Sequence, residues 1–296
     1  MSSHSHQNLH SKLSAAGLLV TLGIIYGDIG TSPLYVMKAI IGDSPISKDL
    51  ILGGLSCIFW TLTLQTTLKY VIITLSADNH GEGGIFALYA LVKRTKIQWL
   101  IVPAIIGGSA LLADGIITPP ISVSSAVEGL RIFKPDIPTI PIVIAILFVL
   151  FTIQQFGTKL VGKFFAPMML IWFTMLAVLG VIQMVTNLEV FNAINPYYAY
   201  HLLTSDVSDQ GFFILGAVFL CTTGAEALYS DMGHCGRKNI RISWMFVKTT
   251  LILNYFGQGA YLIAHEGKTL EQLGSSNPNP FYLIMETWFQ PIGIVI

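Results

Sequence analysis

Three carboxyl side chains stand where the sequence is otherwise apolar: Asp28 in GIIYGDIGTSPLYV, Asp114 in LLADGIITPPISV and Glu226 in FLCTTGAEALYSDMG. A charged acid at the centre of a membrane-crossing helix costs about 2.5–3.5 kcal/mol, so three unpaired ones would cost ~8–10 kcal/mol. Placing the spans puts no Lys, Arg or His at their depth, which leaves protonation or a bound cation as the two ways to neutralise them. A carboxylate that alternates between the two couples a proton flow to a cation flow. Oxygen donors follow at helical spacing. Asp28 and Tyr35 are seven residues apart, and Asp114, Thr118 and Ser122 fall at i, i+4 and i+8 on one face, where Pro119 and Pro120 are expected to kink the helix. Thr223 precedes Glu226 by three and is expected on the same face. Carboxylates, hydroxyls and carbonyls released by broken helices form a hard-oxygen set suited to an alkali cation; a transition metal would ask for imidazole or thiolate. The plainer readings are a Ser or Thr bonded to the carbonyl one turn back, and Tyr35 as an interfacial anchor.

These residues are carried by a chain of 296 residues that is 53% apolar and only 11% charged, with sixteen basic and sixteen acidic residues. So few charges cannot cover a water-facing surface, and zero net charge argues against a nucleic-acid partner. Cys57, Cys221 and Cys235 show no CxxC spacing, so neither a disulfide framework nor a zinc site is supported. No Ser/His/Asp set, HExxH or nucleotide-binding loop marks an enzyme, and no cofactor is implied. Eight apolar segments are read at about 14–42, 50–76, 98–130, 137–156, 163–186, 210–233, 241–264 and from about 281 to the end. With the N-terminus inside, nine basic residues near segment ends face the cytoplasm (Lys12, Lys93, Arg94, Lys96, Lys159, Lys163, Arg237, Lys238, Arg241) and five face outward (Lys38, Lys48, Arg131, Lys134, Lys268). The connection from Asn187 to Gln210 has acids but no Lys or Arg, and belongs outside. The stretch ADNHGEGGIFALYALVKR is too short to span and reads as an interfacial helix on the cytoplasmic side. The polar first thirteen residues do not make a cleavable signal peptide. His4, His6 and His10 read as a tail, Asp78, His80 and Glu82 as turn residues, and Asp231 and Glu286 as solvated or capping groups.

Segments one and six are interrupted, the first by Gly27, Gly30 and Pro33, the second by Thr222, Thr223 and Gly224. Two broken segments in corresponding positions, five apart, point to an inverted-repeat transporter with its binding site at the breaks. The expected organisation is a cytoplasmic tail at 1–13, a first repeat at about 14–186 and an incomplete second repeat at about 210–296.

YGDIGTSPLYV at 26–36, ADNHGEGGIFALYALVKR at 77–94, DGIITPPISVSSAVEGL at 114–130, QFGTKLVGKFFAPMMLIWF at 155–173 and GAEALYSDMGHCGRKNIRISW at 224–244 resemble, in order, the signature blocks of the Kup/HAK/KT potassium uptake family. The resemblance implies an all-α integral membrane protein with the LeuT-like inverted-repeat fold of the amino acid–polyamine–organocation superfamily. It also implies K+ carried inward with H+ across the plasma membrane, the inner membrane of a bacterium, by a homodimer. The ion-coordinating set it implies is Asp28, Tyr35, Asp114, Thr118, Ser122, Thr223 and Glu226. Some members have Glu where this chain has Asp114. Family members usually have twelve spans and a cytoplasmic domain, so this chain looks truncated within its eighth segment and is expected to be incompetent for transport alone. Two other readings are an organic-substrate transporter of the same superfamily, which the acid at Asp28 opposes, and a K+ channel, which lacks the expected TVGYG filter.

Overall fold

The computed structural model describes residues 13–155, 158–204, 211–274 and 278–296. His4, His6 and His10, Lys12, and the acids Asp206 and Asp209 of the long connection lie outside the described residues. Among those described, the chain is helical, with one isolated bridge between Asn79 and Glu82.

Segment one starts at Ala15 because Ser14 caps it, its hydroxyl accepting from the Gly17 amide at 3.0 Å. The helix Ala15–Ile25 then bends by 69° into Gly27–Leu34. Beyond Pro33, which has no N–H to continue a ladder, the chain restarts as Val36–Ile41. Segment two runs as Lys48–Thr61, capped by Ser47, and then widens into a π-helix over Leu62–Ile73. Thr67 and Thr74 donate to carbonyls five residues back, those of Leu62 and Lys69, which fits the wider turn. Segment three continues as one helix, Ile101–Glu128, through both prolines. Thr139–Gln154, Thr158–Met184 and Arg237–Ile263 form segments four, five and seven. The expected interfacial helix forms at Ile85–Lys93 and buries none of its residues.

Among the described residues, four helices are long and apolar enough to cross a membrane, or five if the bent pair of segment one counts as one span. Segment four falls short in length, since its 16 helical residues reach only about 24 Å. Segment seven is 27 residues long but buries Asn239, Ser243, Asn254 and Gln258 in its length, which lowers its apolarity. The outer faces suit lipid: Leu112, Ile116 and Phe148 are each more than 70% exposed and would be a liability in water.

The core lies where segments one, five and seven pack together. Tyr26, Phe173, Trp244 and Tyr255 are fully buried there, and the Tyr26 hydroxyl donates to the Ile240 carbonyl at 3.0 Å. Segments five and seven touch backbone to backbone at Gly180 and Gly257, where any side chain would collide. Connections sort to two ends of the bundle. At one end Ile46 and Gly267 exchange backbone hydrogen bonds with the 267–268 and 46 positions, and Lys48 pairs with Glu189 at 2.7 Å. At the other, the Tyr229 hydroxyl donates to the Ala77 carbonyl and Arg241 caps the end of segment two at Val71 and Ile72.

The run from 281 does not begin as a span. Pro280–Leu283 is one turn, the chain reverses through an exposed Glu286, and a helix starts at Gln290 with Pro291 in its first turn. The turn is held inward by Asn279 and Tyr282, whose side chains reach segments one and three.

Candidate functional site

The two breaks meet. Gly224 adopts φ +82°, open to glycine at little cost, and a Cβ there would overlap the Cβ of Asp28. Thr223 turns extended (ψ 132°) just before it, so the helix is interrupted between Thr223 and Glu226 and the shared helical face expected for that pair does not form. Glu226 instead opens the turn Ala227–Ser230, accepting from the Ser230 amide at 2.9 Å through its backbone carbonyl.

Segment three supplies the opposite wall. Thr118 is buried and donates to the Asp114 carboxylate at 2.9 Å, and the Ser122 hydroxyl lies 3.0 Å from that of Thr31 in segment one. The i, i+4, i+8 stripe therefore exists and faces the break. Asp28, Asp114 and Glu226 lie within electrostatic reach of one another. Like charges gathered away from water repel, so a proton or a cation among them is favoured. Tyr35 follows on the irregular backbone after the break in segment one, and its side chain is within electrostatic reach of Asp28. Asp28, Asp114, Thr118, Ser122 and Glu226 are brought to the meeting of segments one, three and six, whereas Thr223 is placed there by its backbone alone. The three acids are not drawn into one tight cluster: among the described residues no group of three His, Cys, Asp or Glu side chains is placed to hold a metal ion.

The carbonyls freed by the break in segment one are occupied. Ser32 donates to the Ile29 carbonyl at 2.7 Å, Trp172 to Gly30 at 2.8 Å, Gln258 to Pro33 at 3.0 Å and Asn279 to Leu34 at 2.6 Å. Tyr255 in turn donates to the Ser32 hydroxyl at 2.8 Å. Asn254, which accepts from Gln258, ties segment seven to the Leu176 carbonyl of segment five. A membrane offers no water for such groups, so neighbouring side chains must satisfy them. Trp172, Tyr255, Gln258 and Asn279 were not foreseen; amides within the apolar run of segment seven were the available signal. Side chains, more than carbonyls, are left to face the site.

Two lysines, Lys69 and Lys248, lie within segments two and seven. Neither reaches the acids: Lys248 donates to Thr63 at 3.0 Å beside the Phe59 ring, and Lys69 lies over the Tyr70 ring.

Comparison with known proteins identifies the family. Residues 15–296 match the model of the K+ potassium transporter integral membrane domain. The chain is 78% identical over 99% of its length to a "Probable potassium transport system protein Kup" of Flavobacterium johnsoniae, and 75% identical over its whole length to one of Flavobacterium psychrophilum. A Clostridium perfringens protein of the same name is 53% identical over 96% of the chain. The chain spans 45%, 45% and 44% of these relatives. No solved structure matches it. The apolar helices, the acids at the crossing of two breaks and the match across nearly the whole chain lead to one statement: the chain belongs to the K+ potassium transporter family of integral membrane proteins.

Proposed function

We propose that the protein carrying this sequence takes up K+ together with H+, with the cation held by Asp28, Tyr35, Asp114, Thr118, Ser122, Thr223 and Glu226. The observation that carries this reading is the abutment of the two breaks, Gly224 against Asp28, with segment three brought against them at Thr31 and Ser122 and Thr118 on Asp114, and with neither intramembrane lysine on the acids. When K+ enters, its positive charge replaces the proton between the carboxyls and draws Asp28 and the hydroxyls inward. When it leaves, a proton returns. A single set of carboxyls that cannot stay bare then links the two flows. Relatives named as potassium transport proteins support K+ as the cargo.

The abutting breaks of segments one and six, five apart, support the LeuT-like inverted repeat, with repeats at about 14–186 and 210–296 and a tail at 1–13. The basic residues Arg237, Lys238 and Arg241 at one end of the bundle support a cytoplasmic assignment of that end and of the N-terminus, in a bacterial inner membrane. A homodimer is the expected assembly in the bilayer.

The test is uptake by a full-length transporter carrying this sequence, in cells that lack their own K+ uptake. Saturable K+ uptake accompanied by cytoplasmic acidification is expected, and both are lost in the double variant Asp114→Asn, Glu226→Gln. Uptake left intact by that pair would overturn the site assignment.

A further inference from the structure

The polar stripes on segments one and three continue beyond the seven residues of the site toward the end of the bundle that bears Asp43 and Glu271. On segment one, Asp28, Thr31, Tyr35 and Lys38 succeed one another at steps of three or four. On segment three, Asp114, Thr118, Ser122, Ser125 and Glu128 do the same. The stripes touch twice: Thr31 meets Ser122 at 3.0 Å, and Lys38 Nζ donates to Glu128 Oε2 at 2.8 Å. The second contact is only a quarter exposed on either side. It borders a cavity of about 650 Å³ lined by Tyr35, Lys38, Asp43, Ser125, Glu128 and Glu271. Tyr35, at its wall, is also a residue of the candidate site, so the cavity adjoins that site and the ion pair stands at its edge.

The backbone on the two sides differs. Segment three is pinned next to Glu128, because the Tyr282 hydroxyl donates to the carbonyls of Ser125 and Ala126. Lys38 rides on the short helix Val36–Ile41, bounded by the irregular Tyr35 (φ −135°) and by Gly42 (φ +56°), which has open space around it. The helix is packed into the core through Val36, Met37, Ile40 and Ile41, so the part of the pair free to move is the long Lys38 side chain.

We propose that Lys38 and Glu128 form an ion-pair lock across the outer mouth of the cation path, and that Glu128 is the carboxylate at which an arriving cation replaces the Lys38 ammonium. In the closed arrangement the Lys38 ammonium occupies the carboxylate. Rotation of the Lys38 side chain away from it frees Glu128 for a monovalent cation of like charge. Electrostatics then favours exchange of one cation for another over leaving the carboxylate bare. The direction of entry rests on the K+ reading above; the lock itself does not.

The experiment reads the lock without transport. In a full-length transporter carrying Ser125→Cys, one turn inward of Glu128, the rate of reaction with a membrane-impermeant cationic methanethiosulfonate is measured from outside. The native Cys57, Cys221 and Cys235 are buried. Adding Lys38→Met should raise the rate roughly five- to tenfold. The exchanged pair Lys38→Glu, Glu128→Lys should restore the parent rate, and this guards against a merely misfolded variant. Rates within about twofold of the parent in Lys38→Met, or an exchanged pair as reactive as Lys38→Met, would overturn the lock. If labelling behaves as expected but no K+ is taken up, the lock stands and the K+ reading fails.

Discussion

The breaks in segments one and six look alike in sequence and are held in opposite ways. In segment one, four loose carbonyls are bonded by Ser32 and by side chains of three other stretches of chain, Trp172, Gln258 and Asn279. In segment six the turns close on themselves, through Ala225 to Thr222, Ala227 to Gly224, Tyr229 to Glu226 and the Thr222 hydroxyl to Phe219. A break tied to its neighbours is fixed to the scaffold of segments five and seven. A break that carries its own hydrogen bonds can shift as a unit without leaving polar groups bare in lipid. Segment one therefore presents Asp28 and Tyr35 on a strapped frame, while the turns around Glu226 are held by their own hydrogen bonds and by one distant tie, from Tyr229 to the Ala77 carbonyl.

This contrast can be broken in four places, in decreasing order of effect. Gly224→Ala forces a side chain onto Asp28 in a left-handed backbone, and should cost ~3 kcal/mol or more and abolish uptake, read as a lowered thermal midpoint alongside uptake. Gln258→Leu with Asn279→Leu removes two straps at once. Bonds between membrane helices average about 0.6 kcal/mol and reach ~1.7, so the pair should lower stability by roughly 1–3 kcal/mol and reduce maximal uptake more than apparent affinity. Were the pair silent in both, segment one would not be the fixed partner. Thr118→Val keeps the volume and loses the donor to Asp114, and should raise the half-saturating K+ concentration about two- to fivefold in an uptake titration, an effect of under ~1 kcal/mol. Lys248→Met should leave K+ half-saturation unchanged, because its ammonium is on Thr63 and not on an acid.

What could be read in advance divides along the same line. The broken segments, the three acids and the stripe of Thr118 and Ser122 were legible because lipid makes a carboxylate or a glycine-proline run conspicuous. The straps were not, since an amide such as Gln258 or Asn279 declares a polar need without naming its partner, and partners 78 to 245 residues away are set by packing. The π-helix of segment two leaves no mark of its own, since Thr63, Gln65, Thr66, Thr67 and Lys69 are interspersed among its apolar residues in a run that reads as an ordinary span. The start of the last helix was misplaced by the apolar run PFYLIM, although Gln290-Pro291 carries the ordinary signature of a helix start.

The central claim is that a cation sits among Asp28, Asp114 and Glu226, and the direct measurement is the thermal midpoint of the purified full-length protein as K+ is raised at constant ionic strength. A ligand that binds only the folded state stabilises it by RT ln(1 + [L]/Kd), about 2.7 kcal/mol at a hundred times Kd. The account predicts a midpoint that climbs with K+ in the parent and stays flat in Asp28→Asn, Glu226→Gln. An equal climb in that double variant would place the cation elsewhere and contradict the account.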